Sequence, residues 1–489
     1  MSLFRTLRFA WLMLTRAAVL LLLASCFVSV HAQTVTPIFA FDGTDGGNSI
    51  SGLVQGRDGQ LYGTTQSDGK HGAGTVFKIT TGGALVTLHQ FCSKTSCADG
   101  ANPTSGLILG TDGNFYGTTF SGGNTACASG CGTVFKITST GTLNTLYDFC
   151  STSSCDDGGN PYASLVQGTD GDLYGTTSAF GLNSVGTIFR ITTGGALTTL
   201  HTFAVSDGAA PFGALIQATD GNFYGTTSSG GTHGDGTVYQ LTPAGSLTTI
   251  HNFSGKDGST PYGGVIETFP GAPPFLPDAL WGVASLGGTF KAGLFFRMSF
   301  AGKILSSFSF CQIKGCPDGS EPFARLTMDH TGGIWGVASS GGTADLGSLF
   351  GTTDGGASFS IYSFCTTPAC ADGLGPQAPL VEHTNGKLYG VTSNGATGFG
   401  AIYSDTITGR SAFVRPVPAI AKVGATIGIL GSNLSTTSKV KFGSLTAKFK
   451  VVSTTFVTAT VPAGATSAFI TVTTSSKTFR SNQKFLISP

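Results

Sequence analysis

Ten of the eleven cysteines of this 489-residue chain fall into five close pairs: Cys92/Cys97, Cys127/Cys131, Cys150/Cys155, Cys311/Cys316 and Cys365/Cys370. Thiols at such spacing can close local disulfides or hold a metal. The spacings are not CxxC and paired histidines are absent, which disfavours zinc. Each pair also arrives with a four-residue insertion. Phe91 to Asp99 spans eight positions, whereas Phe203 to Asp207 and Phe253 to Asp257, which lack cysteines, span four. The reading is a local disulfide pinning each enlarged loop, worth roughly 2 kcal/mol per bridge from loop closure. Carboxylates come next. An Asp-Gly pair recurs at Asp45, Asp99, Asp157, Asp207, Asp257, Asp318 and Asp372, with proline four residues on in six cases. Seven carboxylates in one register could bind cations; as single residues they also suit turns, where Asp accepts backbone N–H bonds. His89, His201 and His251 share a register with Phe39, Tyr147, Phe308 and Tyr362. A position that takes His, Tyr and Phe calls for a flat packed ring more than a metal ligand.

Departures from this regularity are where catalysis would sit. Glu267, Glu321 and Glu382 are the three glutamates, His383 adjoins Glu382, Arg325 intrudes beside the small-residue position of strand A, and Pro270 to Pro277 enlarges one loop. None makes an acid pair, triad or metal set by spacing. No catalytic, cofactor-binding or metal residue is assigned, and exposed loop charges account for these groups. The glycines recur with turns and no strand-to-helix phosphate loop follows them.

The elements that position these residues are seven copies of one unit. The marker Leu61-Tyr62-Gly63-Thr64-Thr65 recurs around Tyr116, Tyr174, Tyr224, Trp281, Trp335 and Tyr389, with marker glycines 50 to 58 residues apart. Each unit reads as four strands. A short aliphatic strand A (Leu53-Val54) is followed by an Asp-Gly turn, then by the marker as strand B. Strand C (Gly74 to Ile79) and strand D (Leu85 to Phe91) complete the unit. The marker aromatics read as packing, with a carbohydrate platform as the alternative should a ring be exposed. Two positions before the aliphatic pair of strand A stands a small residue in every copy, from Ser51 to Ala378. Small residues permit close backbone approach, as at the crowded axis of a β-propeller. The chain opens on a D strand (Ile38 to Phe41) and its last unit lacks one. The N-terminal strand is therefore expected to complete the seventh blade, and deleting residues 35–42 to open the ring.

The ends and the composition narrow the setting. Arg5, Arg8 and Arg16 precede an apolar run from Ala17 to Val30, and Val30-His31-Ala32 supplies small residues for cleavage. Residues 1–32 thus read as a signal peptide. Leu23-Ala24-Ser25-Cys26 also resembles a bacterial lipobox, which would leave Cys26 lipidated and the protein membrane-anchored. Charged residues make up 10% of the chain and the net charge is +1. That leaves no basic field for nucleic acid. Near Val414 the composition changes. Pro416-Val417-Pro418 reads as a hinge, and strands at Ile427 to Leu430, Val440 to Phe442, Phe456 to Thr460 and Phe469 to Val472 suit a small β-sandwich.

Two resemblances add to this reading. Gly431-Ser432-Asn433-Leu434, Val440-Lys441-Phe442-Gly443, Val461 to Ala465 and Ser481-Asn482 to Phe485 resemble the IPT/TIG immunoglobulin-like family, whose modules often act as spacers or interaction domains. The repeat DGxLYGTT…GTVFKIT is similar to the GloVer-type tandem repeats of exported bacterial proteins. That likeness implies export and a propeller-like array but no defined activity. Many members end in a sorting anchor, which is not read before Pro489. The expectation is an all-β chain with a seven-bladed propeller over residues 35–412 and an Ig-like sandwich over 413–489. Its expected role is non-catalytic recognition or scaffolding at the cell surface or outside the cell. No cofactor and no nucleic acid are expected, and polysaccharide or a surface protein is the expected partner. The alternative is a carbohydrate-active hydrolase or lyase using the asymmetric loops.

Overall fold

Alternating apolar residues broken by Gly turns build short antiparallel strands, and the computed structural model shows how they combine. It describes residues 35–152, 154–268, 279–352, 358–405 and 410–488. The signal region with Cys26 and the Pro270 to Pro277 loop lie outside these residues. Among the described residues the helical segments are three short 3-10 turns, Thr95–Cys97, Pro368–Cys370 and Leu434–Thr436.

Each repeat forms one four-stranded antiparallel sheet in the order A-B-C-D. In the first, Val54–Gln55, Leu61–Thr65, Thr75–Ile79 and Leu85–Gln90 pair in turn. Five further sheets follow the same pattern. In the seventh, Val381–Glu382, Leu388–Thr392 and Ala401–Asp405 take Val35–Ala40 as their fourth strand. Val35 pairs with Asp405 and Ala40 with Ala401.

The marker glycines are fixed by packing rather than by turns. A Cβ on Gly63 would lie 2.6 Å from the Phe77 ring and 2.7 Å from Leu53. Gly117, Gly175, Gly282 and Gly336 meet Phe135, Phe189, Phe296 and Phe350 in the same way, and Gly225 and Gly390 meet Tyr239 and Tyr403. The strand C aromatic thus crosses the face of strand B where only hydrogen fits. Those same rings join neighbouring sheets. The phenylalanine closing each strand D meets the strand C aromatic of the next sheet: Phe91–Phe135, Phe149–Phe189, Phe203–Tyr239, Phe253–Phe296, Phe310–Phe350 and Phe364–Tyr403. Phe41 of the seventh sheet meets Phe77 of the first at 5.4 Å and 67°, so the series returns to its start. Offset and edge-on geometries of this kind are the favoured ones for aromatic pairs.

Residues 415 onward form two sheets. One orders Arg415–Val417, Thr426–Leu430, Phe456–Thr460 and Phe449–Val451, and the other has five strands. Ile427, Ile429, Val440, Phe442, Val457, Ile470 and Phe485 fill the space between them. The hinge reading of Pro416-Val417-Pro418 is corrected here. Arg415–Val417 is a strand whose residues pair with Gly428, Ile429 and Leu430. Polar contacts tie this part to the repeats: Thr455 Oγ1 donates to the Arg57 carbonyl at 2.7 Å, and the Arg57 guanidinium lies 4.7 Å over the Phe456 ring.

Candidate functional site: the central cleft

Strand A begins where neighbouring sheets crowd together. A Cβ on Gly52 would sit 2.8 Å from Pro379 of the seventh unit, and one on Gly106 2.8 Å from the Gly52 carbonyl oxygen. Gly106 N–H donates to Ser164 Oγ at 2.9 Å, and a Cβ on Gly213 would lie 2.8 Å from Gly264. All seven units line one cleft here, of about 90 Å3. The residue after each small position is Gly52, Gly106, Ser164, Ala214, Gly264, Arg325 and Pro379. Six are small or proline; Arg325 is the single charged group among them.

Around the mouth stand the residues that follow the loop prolines. In four consecutive units these are aromatic: Tyr162, Phe212, Tyr262 and Phe323, all half-buried. Their ring centroids are 4.9, 5.2 and 5.1 Å apart in sequence, which makes one continuous arc. Burial raises the Tyr162 phenol above its usual range. On the far side, two clefts of about 790 and 320 Å3 open between the strand A ends and the C-terminal sheets, and Arg325 borders both. Burial pulls its guanidinium below the ordinary value, yet an arginine stays cationic. Among the described residues no carboxylate or carbonyl accepts a bond from it.

The expected chemistry distributes differently. The marker rings Tyr62, Tyr116, Tyr174, Tyr224, Trp281, Trp335 and Tyr389 are at most 8% exposed, so the exposed-platform alternative does not fall on them. The Tyr62 hydroxyl instead donates to Asp58 of its own A–B turn at 2.7 Å, with the same bond at Tyr116, Tyr174 and Tyr224. The loop aspartates serve the turns that follow strand D. Asp99 accepts from Ser93 N–H at 3.1 Å and from His89 Nε2 at 3.0 Å; His201 and His251 meet Asp207 and Asp257 alike, and Tyr147 and Tyr362 donate to Asp157 and Asp372. Where the ring is Phe308, both oxygens of Asp318 lack a partner among the described residues; Asp45, opposite Phe39, is held above its usual range by burial. In five of the seven copies the shared register thus holds a ring that carries a donor as well as a flat face. Burial lowers the His89 pKa, against the opposing pull of Asp99. Burial alone would raise Asp99, but hydrogen bonds from Ser93 and Lys94 hold it below the usual range.

All five cysteine pairs are disulfides, Cys92–Cys97, Cys127–Cys131, Cys150–Cys155, Cys311–Cys316 and Cys365–Cys370. Glu267 and Glu382, read from the sequence as exposed loop charges, are instead buried on strand A, 8% and 2% exposed. The second strand A residue accepts the backbone N–H that opens the A–B turn of the preceding unit: Gln55 from Thr384, Gln167 from Thr111, Gln217 from Thr169. Glu267 does so from Thr219 at 3.0 Å and Glu382 from His330 at 3.0 Å. The shared register with glutamine was the available signal. Glu321 stands at φ 56°, where two earlier copies carry Asn102 and Asn160. His383 donates from Nε2 to the Gly59 carbonyl at 3.0 Å, with its pKa lowered by burial. The aromatic arc was also missed; its signal was Pro-Tyr or Pro-Phe in four successive units.

The profile of the Gloeobacter/Verrucomicrobia repeat matches residues 27–155, 94–272 and 276–426. A search of the curated proteins gives no match. A crystal structure of a protein of unknown function from Bacteroides thetaiotaomicron is 15% identical, covering 77% of this chain and 76% of its own, at a TM-score of 0.40. That score carries no argument. The repeat profile spans most of the sequence, and the chain belongs to the Gloeobacter/Verrucomicrobia repeat family.

Proposed function

We propose that this chain is an exported, non-catalytic recognition protein of the bacterial cell surface or extracellular space. In this reading it binds polysaccharide at the mouth of a seven-bladed β-propeller, and an IPT/TIG Ig-like module backs the opposite face. The observation that carries it is the half-buried arc of Tyr162, Phe212, Tyr262 and Phe323 around a cleft shared by all seven units. Rings held by their neighbours present flat apolar faces at low entropic cost, as sugar faces require. The returning series of aromatic contacts from sheet to sheet supports the closed propeller. Five disulfides accord with an oxidising compartment, and among the described residues no helix is long and apolar enough to cross a membrane. The backbone bonds that occupy Glu267 and Glu382 support the non-catalytic reading.

The test is a glycan array with the mature protein, followed by product analysis of each hit. Intact bound glycan, weakened about tenfold by Phe212→Ala or Tyr262→Ala, is the expected result. Cleaved product would replace this reading with the hydrolase or lyase one. Absence of any glycan hit would reject it in favour of a protein partner.

A further inference from the structure

Resting on that reading, we infer that Arg325 is the anion-recognising residue of the cleft and that the glycan bound there carries carboxylates, as a polyuronate does. Guanidinia elsewhere in this fold have partners. Arg410 contacts Asp329 at 3.2 Å and Asp405 at 2.9 Å, and lies 4.8 Å over the Trp335 ring. Arg415 donates to the Glu382 carbonyl, Arg57 to the Thr111 carbonyl at 2.7 Å, and Arg190 stands 3.6 Å from Asp172. Arg325 has no such partner among the described residues, although it borders all three clefts on the axis. Glu267 and Glu382 border the same 320 Å3 cleft, but neither forms an ion pair with Arg325; their carboxylates accept bonds from Thr219 and His330.

An unpaired cation in a half-buried cleft raises the value of an incoming anion, and the planar guanidinium fork fits a carboxylate with two parallel bonds. The six equivalent positions hold no side chain larger than proline, so one approach to the charge is open rather than seven. The mouth cleft, at about 90 Å3, is well below the ~300–1,000 Å3 that engulfs a drug-sized ligand. It therefore admits one small group while the rest of the chain lies on the aromatic arc. With a net charge of +1 the molecule has little long-range field. Selectivity for an acidic polymer must then come from this local charge.

The experiment compares oligogalacturonate with its methyl-esterified form by calorimetry on the full mature chain. Wild type is expected to bind the free acid at least about tenfold more tightly than the ester. Arg325→Ser places in the sixth unit the residue type that the third carries as Ser164, so the fold is kept. It should abolish the preference, so that acid and ester bind alike. An Arg325→Ser protein that binds the acid as wild type does overturns the inference, while equal binding of acid and ester by wild type overturns it and leaves the glycan reading standing. If neither oligosaccharide binds, inorganic sulfate separates the two ideas. A sulfate-dependent rise in melting temperature larger in wild type than in Arg325→Ser keeps the anion site and rejects the glycan reading, and an equal rise rejects both.

Discussion

Truncating Phe41 tests whether the N-terminal strand is an integral member of the seventh sheet. Phe41 is fully buried and meets Phe77 of the first sheet at 5.4 Å and 67°. Its environment includes Leu53, Leu61, Tyr389, Val391 and Ile402. Phe253 offers an internal reference in the same register, also fully buried, with Phe296 at 5.3 Å and 59°. Removing a buried phenylalanine ring costs about 3–5 kcal/mol, of which the aromatic pair contributes roughly 0.5–1.5. Phe41→Ala and Phe253→Ala should therefore destabilise equally within about 1 kcal/mol. The assay is guanidinium unfolding followed by the fluorescence of Trp281, in the fifth sheet and away from the seam between the seventh and the first, in a Trp335→Phe background, because Trp335 shares a core cluster with Val35, Leu380 and Tyr403. In a ring that unfolds as one, the Phe41→Ala midpoint falls even at that distant reporter. A Phe253→Ala protein with the full loss beside a Phe41→Ala protein losing under about 1 kcal/mol would refute the reasoning.

Gly106→Ala should cost about 1–3 kcal/mol, because its Cβ meets the Gly52 carbonyl oxygen at 2.8 Å, whereas Gly82→Ala, with Thr80 Oγ1 nearest at 3.8 Å, should be neutral or stabilising by up to about 1 kcal/mol; thermal melts of the two check this. Glu267→Ala should lose about 1–3 kcal/mol in chemical unfolding by leaving the Thr219 N–H without its acceptor, with glycan affinity unchanged. A stable Glu267→Ala protein that had lost a glycan-cleaving activity would return this residue to catalysis. Asp99 is held below the usual carboxylate range, so its ionised form stabilises the fold above the unfolded pKa near ~4, and that stability is lost as pH falls through the folded value. The stability gap between wild type and Asp99→Asn should thus be largest at neutral pH and narrow below about pH 4; a constant gap would show that the loop does not depend on this charge.

Strand content and unit boundaries were legible because Gly turns and a two-residue alternation repeat seven times, and errors in one copy are corrected by six others. The N-terminal strand could be assigned to the last unit for the same reason: a missing D strand at one end matched a surplus at the other. The cysteine pairs were legible from the insertions that accompany them. What stayed hidden depends on contacts between units. Glu267 looks like an irregularity along the chain, yet in space it does the work of Gln217 one unit earlier. The donor selected opposite Asp99 and Asp372 emerges only when strand D and the following loop are placed together. The arc from Tyr162 to Phe323 consists of single residues in successive units, so it emerges only when their Pro-Tyr and Pro-Phe pairs are brought together in space. Pro416 reads as a hinge by composition, but the ladder from Arg415 to Leu430 overrides that local signal.

The pairing of Val35 with Asp405 joins the two extremes of the repeat region. Such distant pairing imposes an order on biogenesis. A chain emerging N-terminus first presents Val35–Ala40 as an unpaired edge until the last repeat has been delivered, while each intermediate sheet can form from contiguous sequence. Completion of the seventh sheet is therefore the closing event of assembly. A chain that ended early would still fold its inner units yet expose a strand that invites pairing with other chains. The arrangement makes the final sheet a physical check that the whole repeat array has been made.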